Sequence, residues 1–228
     1  MEMMPHHDVE AVDAAEVFAT RPSGRVPLPV FGPDVPADWR HGLPTLASSL
    51  CTLREMRRED APSLFAHLTT EEVARFISPP PTSVRGFEAF IAWAHRQRAR
   101  GRYACFGIVP AGLTHAVGMF QVRVPDDGHT AEWGFVLGSA YWGSGIFLAG
   151  AQRVLEFAFV DLDVDRLEAR SALQNGRGNG ALRKVGAVRE TVLPGAFERH
   201  GERLDQALWV IAREAWEMAR RALRYVVH

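Results

Sequence analysis

The chain has 228 residues, 47% of them apolar and 23% charged, with a formal net charge of −1. At roughly 150 residues per domain this is one domain with an extension, or two very small domains, and it is too apolar for a disordered chain. No run approaches the ~18 consecutive apolar residues of a membrane span. Near-neutral charge argues against a dedicated nucleic-acid binder.

The N-terminus, with Glu2, His6, His7 and Asp8, lacks the basic and apolar regions of a secretory signal. Two cysteines, Cys51 and Cys105, are too few for a disulfide framework or a zinc cluster. The expectation is therefore a cytoplasmic, reducing setting, with neither membrane nor nucleic acid as partner. Of the 26 basic residues only Lys184 is a lysine. That bias fits either a need for the fork-shaped guanidinium or plain codon usage.

Residues 1–45 hold Pro5, Pro22, Pro27, Pro29, Pro33, Pro36 and Pro44, a density that blocks helices and central strands. They read as an extension, with Val26, Leu28, Val30 and Phe31 able to lie along the surface of a domain over 46–228. A short strand is expected over Leu50–Met56, then Asp60 as the N-cap of a helix over Pro62–Leu68. Thr70 caps a second helix over Glu71–Ile77, stopped by Pro79, Pro80 and Pro81. Phe87, Phe90, Ile91 and Ala94 recur at helical spacing within Ser83–Arg100.

Tyr103–Val109, Ala116–Val124 and Thr130–Leu137 then read as an antiparallel meander. Ile146–Phe159 is expected as a helix, Arg166–Ala172 as a strand and Gly180–Val185 as a short helix ended by Gly186. Val188–Leu193 and Leu204–Ile211 form a closing strand pair, and Arg213–Arg224 a last helix. This order gives α/β (α+β) with a mixed sheet rather than regular βαβ alternation.

The chemistry concentrates in Ala131–Phe159. A strand over Glu132–Leu137 enters the turn Tyr141-Trp142-Gly143-Ser144-Gly145, which opens a helix. Such a turn offers unpaired amides and the positive end of the helix dipole, and glycines let a phosphate approach the backbone. The pattern suits a pyrophosphate cradle or merely a tight connection. The run Asn175-Gly176-Arg177-Gly178-Asn179-Gly180 resembles a dinucleotide fingerprint, but its glycine spacing and short following helix do not suit one. His129 lies in a polar turn, and no histidine has metal-ligand spacing, so no metal is expected.

Glu132-Trp133-Gly134-Phe135-Val136-Leu137, then Tyr141-Trp142-Gly143-Ser144-Gly145, then Asn175 and Lys184-Val185-Gly186 together resemble the GNAT superfamily of N-acetyltransferases. More narrowly they are similar to its ribosomal-protein (RimJ/RimL-like) branch. The resemblance covers roughly residues 50–216. It implies a GNAT-like fold, a mostly antiparallel twisted sheet splayed at the cofactor site with helices on both faces. It also implies acetyl-CoA or another acyl-CoA as co-substrate, and an amine acceptor, a protein N-terminus or a small molecule.

By this likeness the main-chain groups of Val136 and Leu137 hold the pantetheine arm. Trp142 and the run Gly143, Ser144, Gly145, Ile146, Phe147 and Leu148 cradle the pyrophosphate, and Asn175 bonds a pantetheine amide. Glu132 is the candidate general base, with a solvated strand-end carboxylate as the alternative. Tyr141 could protonate the leaving thiolate or simply pack. Phe147 stands where the family usually has Gly or Ala, and Gly178 where many relatives carry Ser. These departures motivate a second reading, a catalytically degenerate acyl-CoA-binding or interaction module. Thr70–Val84 and Pro194–Arg203 are the expected selectivity loops, with Phe106, Phe120 and Phe135 around the acyl group. A homodimer through the last strand or the extension stays open.

Overall fold

The computed structural model describes residues 38–124, 128–199 and 201–226, with side chains described as far as Ala222. The expected surface segment around Val26–Phe31 lies outside the described residues. Among those described, the first residues already pack inward: Trp39 and Leu43 lie against the main core, with the Trp39 ring edge-on to Phe157 at 6.4 Å.

The strands are β1 (Leu46–Ala47), β2 (Cys51–Glu55), β3 (Tyr103–Pro110), β4 (Gly118–Arg123), β5 (Thr130–Leu137), β6 (Arg166–Ala172), β7 (Val188–Arg199) and β8 (Glu202–Ala212). The helices are α1 (Ala61–Leu68), α2 (Glu71–Ala74), α3 (Val84–Ala99), α4 (Ile146–Glu156), α5 (Gly176–Lys184) and α6 (Arg213–Val226). One eight-stranded sheet runs β1-β2-β3-β4-β5-β6-β8-β7. All its pairs are antiparallel except β5–β6, so the expected mixed, mostly antiparallel sheet is present. Among the described residues no helix is long and apolar enough to cross a membrane.

Period-two alternation sends side chains of the central strands into two cores. Phe120, Trp133, Leu167 and Trp209 meet α4 on one face. Met119 and Val136 meet Leu64, Phe87 and Ile91 of α1 and α3 on the other. Gly118 sets the closeness of β4 to β5, because a Cβ there would stand 2.5 Å from the Val136 carbonyl oxygen. Gly150 does the same for α4: a Cβ would meet the Phe120 ring at 2.7 Å.

Several elements differ from their sequence expectation. Asp60 does not cap α1 with its side chain. It is fully buried and takes a two-pronged contact from Arg54 at 2.7 and 2.8 Å, plus the amides of Arg57 and Ala116. α2 is one turn, so Arg75, Phe76 and Ile77 leave it to line a cleft. α4 ends at Glu156 and a π-helical turn follows over Phe157–Asp161. That wider turn lets Phe157, Ala158 and Phe159 all enter the core. α5 starts four residues earlier than expected because the Asn175 side chain caps it, accepting from the Gly178 amide at 2.9 Å. Pro194–Arg203 is no loop: β7 runs to Arg199, and its proline is tolerated because β7 is an edge strand.

Burial alone would raise the Asp60 carboxyl, but the Arg54 guanidinium and the two amides outweigh it and hold the pKa below the ordinary value. A depressed folded-state pKa stabilises at neutral pH, and that stability is lost as pH falls from about 4 through the folded value. Asp60→Asn should lower unfolding free energy by about 3 kcal/mol, since it strands a buried guanidinium. The wild type should lose more stability below about pH 4 than the variant does, both read from urea melts across pH.

Candidate active site

β5 pairs with β4 from Glu132 to Leu137 but meets β6 only at Thr130↔Arg166, Ala131↔Leu167 and Glu132↔Glu168. Beyond Glu132 the two strands part. The Gly138 amide bonds the Val117 carbonyl at 2.9 Å, which sets the phase of the β4–β5 ladder. By antiparallel alternation Gly134 and Val136 then bond to β4, while Phe135 and Leu137 turn their N–H and C=O groups into the gap. The Arg166 amide on the His129 carbonyl, at 3.2 Å, follows the same phase. One open acceptor is taken: the Leu137 oxygen receives the Trp142 indole N–H at 2.8 Å.

The turn from β5 into α4 lies at the open end of this gap. Gly145 is its N-cap at φ 85° and Gly143 stands at φ 75°, a left-handed backbone that a Cβ would strain. The Ser144 hydroxyl donates to the Tyr141 carbonyl at 2.7 Å and accepts from the Ile146 amide at 3.4 Å. The Ala149 amide bonds back to the Gly145 carbonyl. The amides of Phe147 and Leu148 make no bond among the described residues. These are the orphan donors of a helix start.

Gap and turn open into one cleft of about 770 Å³. Of the residues picked from sequence, Val136, Leu137, Tyr141, Trp142, Gly143, Gly145, Phe147, Leu148 and Asn175 line it. Ser144 and Ile146 do not: the first is spent on the turn and the second is buried in the core. Phe147 turns its ring onto Phe135 (centroids 4.4 Å) and Phe120 (5.8 Å), into the core rather than over the amides. Phe135 lines the cleft, whereas Phe106 and Phe120 are fully buried. Tyr141 is held edge-on by His67 at 5.4 Å. Burial keeps His67 below the ordinary imidazole pKa, so its ring is neutral at pH 7. His129 is exposed and paired with Asp165 at 2.9 Å.

The far wall comes from the β6–α5 turn. Asn179, nine-tenths buried, donates to the carbonyls of Ala172 and Asn175 at 2.9 Å and accepts from the Trp209 indole at 2.8 Å. This fixes Asn175 at the mouth. Gly178 is what leaves room for it, since a Cβ there would meet Asn175 Nδ2 at 2.4 Å. Arg177 lies over the Trp142 ring at 4.1 Å and closes one side, a cation–π contact.

Glu72, Arg75, Phe76 and Ile77 supply the remaining wall. They fall within Thr70–Val84, expected from sequence as a selectivity segment, although 71–77 was expected to be helical throughout. Glu132 does not line the cleft. It sits at the last β5–β6 rung, on the sheet face opposite α4, with Arg170 Nη1 3.0 Å from its Oε1.

The Acetyltransferase (GNAT) domain family matches residues 51–188. The chain is 25% identical to the N-acetyltransferase p20 of Bacillus licheniformis over 163 residues, 71% of this chain and 92% of that one. Its fold is similar to RimJ of Mycobacterium smegmatis in complex with CoA-disulfide (TM-score 0.66, 22% identity, 72% of this chain and 82% of that one). It is also similar to RimL, a ribosomal L7/L12 alpha-N-protein acetyltransferase in complex with CoA (TM-score 0.67, 17% identity, 74% and 97%).

The unladdered amides, the open helix start and the glycine-lined approach suit an extended arm ending in a diphosphate. Gly178→Ala should displace Asn175 and break its cap, weakening CoA binding about fivefold with the fold kept. Titration calorimetry with CoA checks this, and an unchanged dissociation constant would remove Asn175 from the binding site.

Proposed function

The chain belongs to the GNAT acetyltransferase family and is an acyl-CoA-dependent N-acetyltransferase; on that premise we propose that it acetylates a primary amine, of a protein N-terminus or a small molecule, at the point where β5 and β6 part. The observation that carries this reading is the convergence of two sets of unpaired amides, at Phe135 and Leu137 and at Phe147 and Leu148, on one cleft. The Phe147 and Leu148 amides, with Gly143, Gly145 and Trp142 around them, hold the pyrophosphate. Phe135 and Leu137 bond the pantetheine arm as a missing strand would, Val136 packs beside it, and Asn175 Nδ2 donates to it. The thioester then lies near the fork, where β5 and β6 part after Glu132.

The acceptor must react as a neutral amine. An α-amine is roughly 10–20% neutral at pH 7, against about 0.04% for a lysine, so it needs little help from a general base. The amine nitrogen attacks the thioester carbonyl, and the developing oxyanion is met by a main-chain N–H in the gap. Glu132, directly or through one water, takes a proton from the nitrogen. The C–S bond then breaks, and the thiolate takes a proton, for which Tyr141, which lines the cleft, is the candidate.

Phe147 and Gly178, the departures that suggested a degenerate module, do not obstruct the cofactor cleft. Phe147 leaves the amides clear, and Gly178 makes room for Asn175. Acyl-CoA is an intracellular metabolite, so the reading requires a cytoplasmic setting. Pro194 in β7 interrupts the donors that a second copy would need for pairing at this edge, and the reading places the whole reaction within one chain.

Thiol release from acetyl-CoA with a panel of amines tests the proposal. Glu132→Gln should lower kcat at least about tenfold while leaving the CoA dissociation constant unchanged. A wild type that binds CoA but releases no thiol with any amine would overturn it.

A further inference from the structure

The sheet face opposite α4 carries a row of charges where the strands part. Arg166 is fully used: its Nε donates to Glu168 at 2.9 Å and its two Nη atoms to Glu190 at 3.0 and 2.6 Å. Arg170, two residues along the same strand, is different. Its Nη1 lies 3.0 Å from Glu132 Oε1 and its Nη2 3.9 Å from Glu168 Oε2, yet it makes no aligned hydrogen bond among the described residues. Glu132 Oε1 is likewise buried without a hydrogen-bond partner.

The two side chains are only 31% and 18% exposed. A half-buried guanidinium and carboxylate in contact, with their directional bonding unspent, are incompletely satisfied. A third group on this face shares the deficit. Gln206 is 4% exposed with an unpartnered Oε1. It registers with Ala172, a diagonal step of roughly 7 Å from Arg170.

We infer that Arg170 is an acceptor-specificity residue, and that the acceptor is a small amino carboxylate whose amine meets Glu132 while its carboxylate takes the Arg170 fork. This rests on the acetyltransferase reading above and deepens it. The two protein charges touch, so the two ligand charges that face them must lie within a few bonds of each other, as in an α- or β-amino acid. Four charges of alternating sign then form a closed set. The guanidinium gains the planar, two-pronged partner that Glu132 does not give it. Gln206 Oε1 faces the same side and can accept an N–H of the ammonium. A protein N-terminus has a neutral peptide group where the carboxylate would be, and leaves Arg170 as it stands.

The test compares the free amino acids with their C-terminal amides, and with a peptide N-terminus, as acceptors for the wild-type chain with acetyl-CoA. The amides have the lower amine pKa and hence the larger neutral fraction, so intrinsic reactivity favours them. A preference for at least one free acid over its amide of about tenfold or more in kcat/KM therefore reports the carboxylate contact.

Arg170→Ala should erase that preference by lowering the rate for the acid about tenfold more than the rate for the amide. Arg170→Lys, which keeps the charge and loses the fork, should fall between. CoA affinity should be unchanged in both variants, which also reports that they fold. Equal rates for acid and amide, or faster peptide N-termini, would overturn the inference and leave the acetyltransferase reading intact. An equal loss on acid and amide in Arg170→Ala would also overturn it, leaving Arg170 a structural charge. Turnover of no amine at all would overturn both.

Discussion

Everything in this fold is arranged around a ladder that stops early. Backbone N–H and C=O groups in the middle of a sheet are obligatory bonding groups, and each one left dry and unpaired costs about 1–3 kcal/mol. Here β5 leaves β6 after three registered pairs, although β4 holds β5 from Glu132 to Leu137 and β8 holds β6 throughout on the other side. The main-chain groups of Phe135 and Leu137 are thus exposed to a cleft in the centre of the molecule. The short turn to α4 brings a second set of unpaired amides, those of Phe147 and Leu148, to the same cavity. The cofactor proposed for this cleft, an extended arm ending in a diphosphate, matches both sets.

Holding the strands apart takes support on both faces. On one, Asp60 ties Arg54 of β2 to the amides of Arg57 and Ala116, and α1 sets His67 against Tyr141. Gly138 makes that approach possible, since a Cβ there would stand 2.9 Å from the His67 Cβ. On the other face the rings of Phe120, Trp133, Phe135 and Phe147 form one aromatic cluster beneath α4. Asn179 anchors the β6–α5 turn to Trp209 of β8. The cleft walls are therefore bonded to rigid strands rather than carried on free loops, as a site that must hold a reactive geometry requires.

Charge at the fork is managed differently from charge elsewhere. Arg54 and Arg166 give their carboxylate partners well-directed bonds, which turns each pair into a structural tie. Arg170 and Glu132 sit together without that alignment. An ion contact that spends little of its directional bonding can exchange partners at modest cost. That suits the roles proposed for Glu132 and Arg170.

Local signals in the sequence determined a good deal. The alternation in Thr130–Leu137, the glycine turn over Tyr141–Gly145 and the helix that follows were legible because each is set by residues close in the chain. The same holds for Arg166–Ala172, whose bounds match the strand, and for the helical run Ser83–Arg100, found as α3 over Val84–Ala99. Nine of the twelve residues picked as site candidates line the cleft, and they belong to these local motifs or follow directly from them.

Tertiary structure decided the rest. Only the pairing of β5 with β4 fixes which of its amides face the gap, because that phase depends on partners 9 to 19 residues away. Only packing placed Phe147 on Phe135, and only the β6 register brought Arg170 to Glu132. α5 is longer than its glycines suggest because Asn175 and Asn179 spend their side chains on its first turn, while Asp60 serves Arg54 rather than its own helix. In each case one side chain has several possible partners, and the choice among them is made by which strand lies beside it.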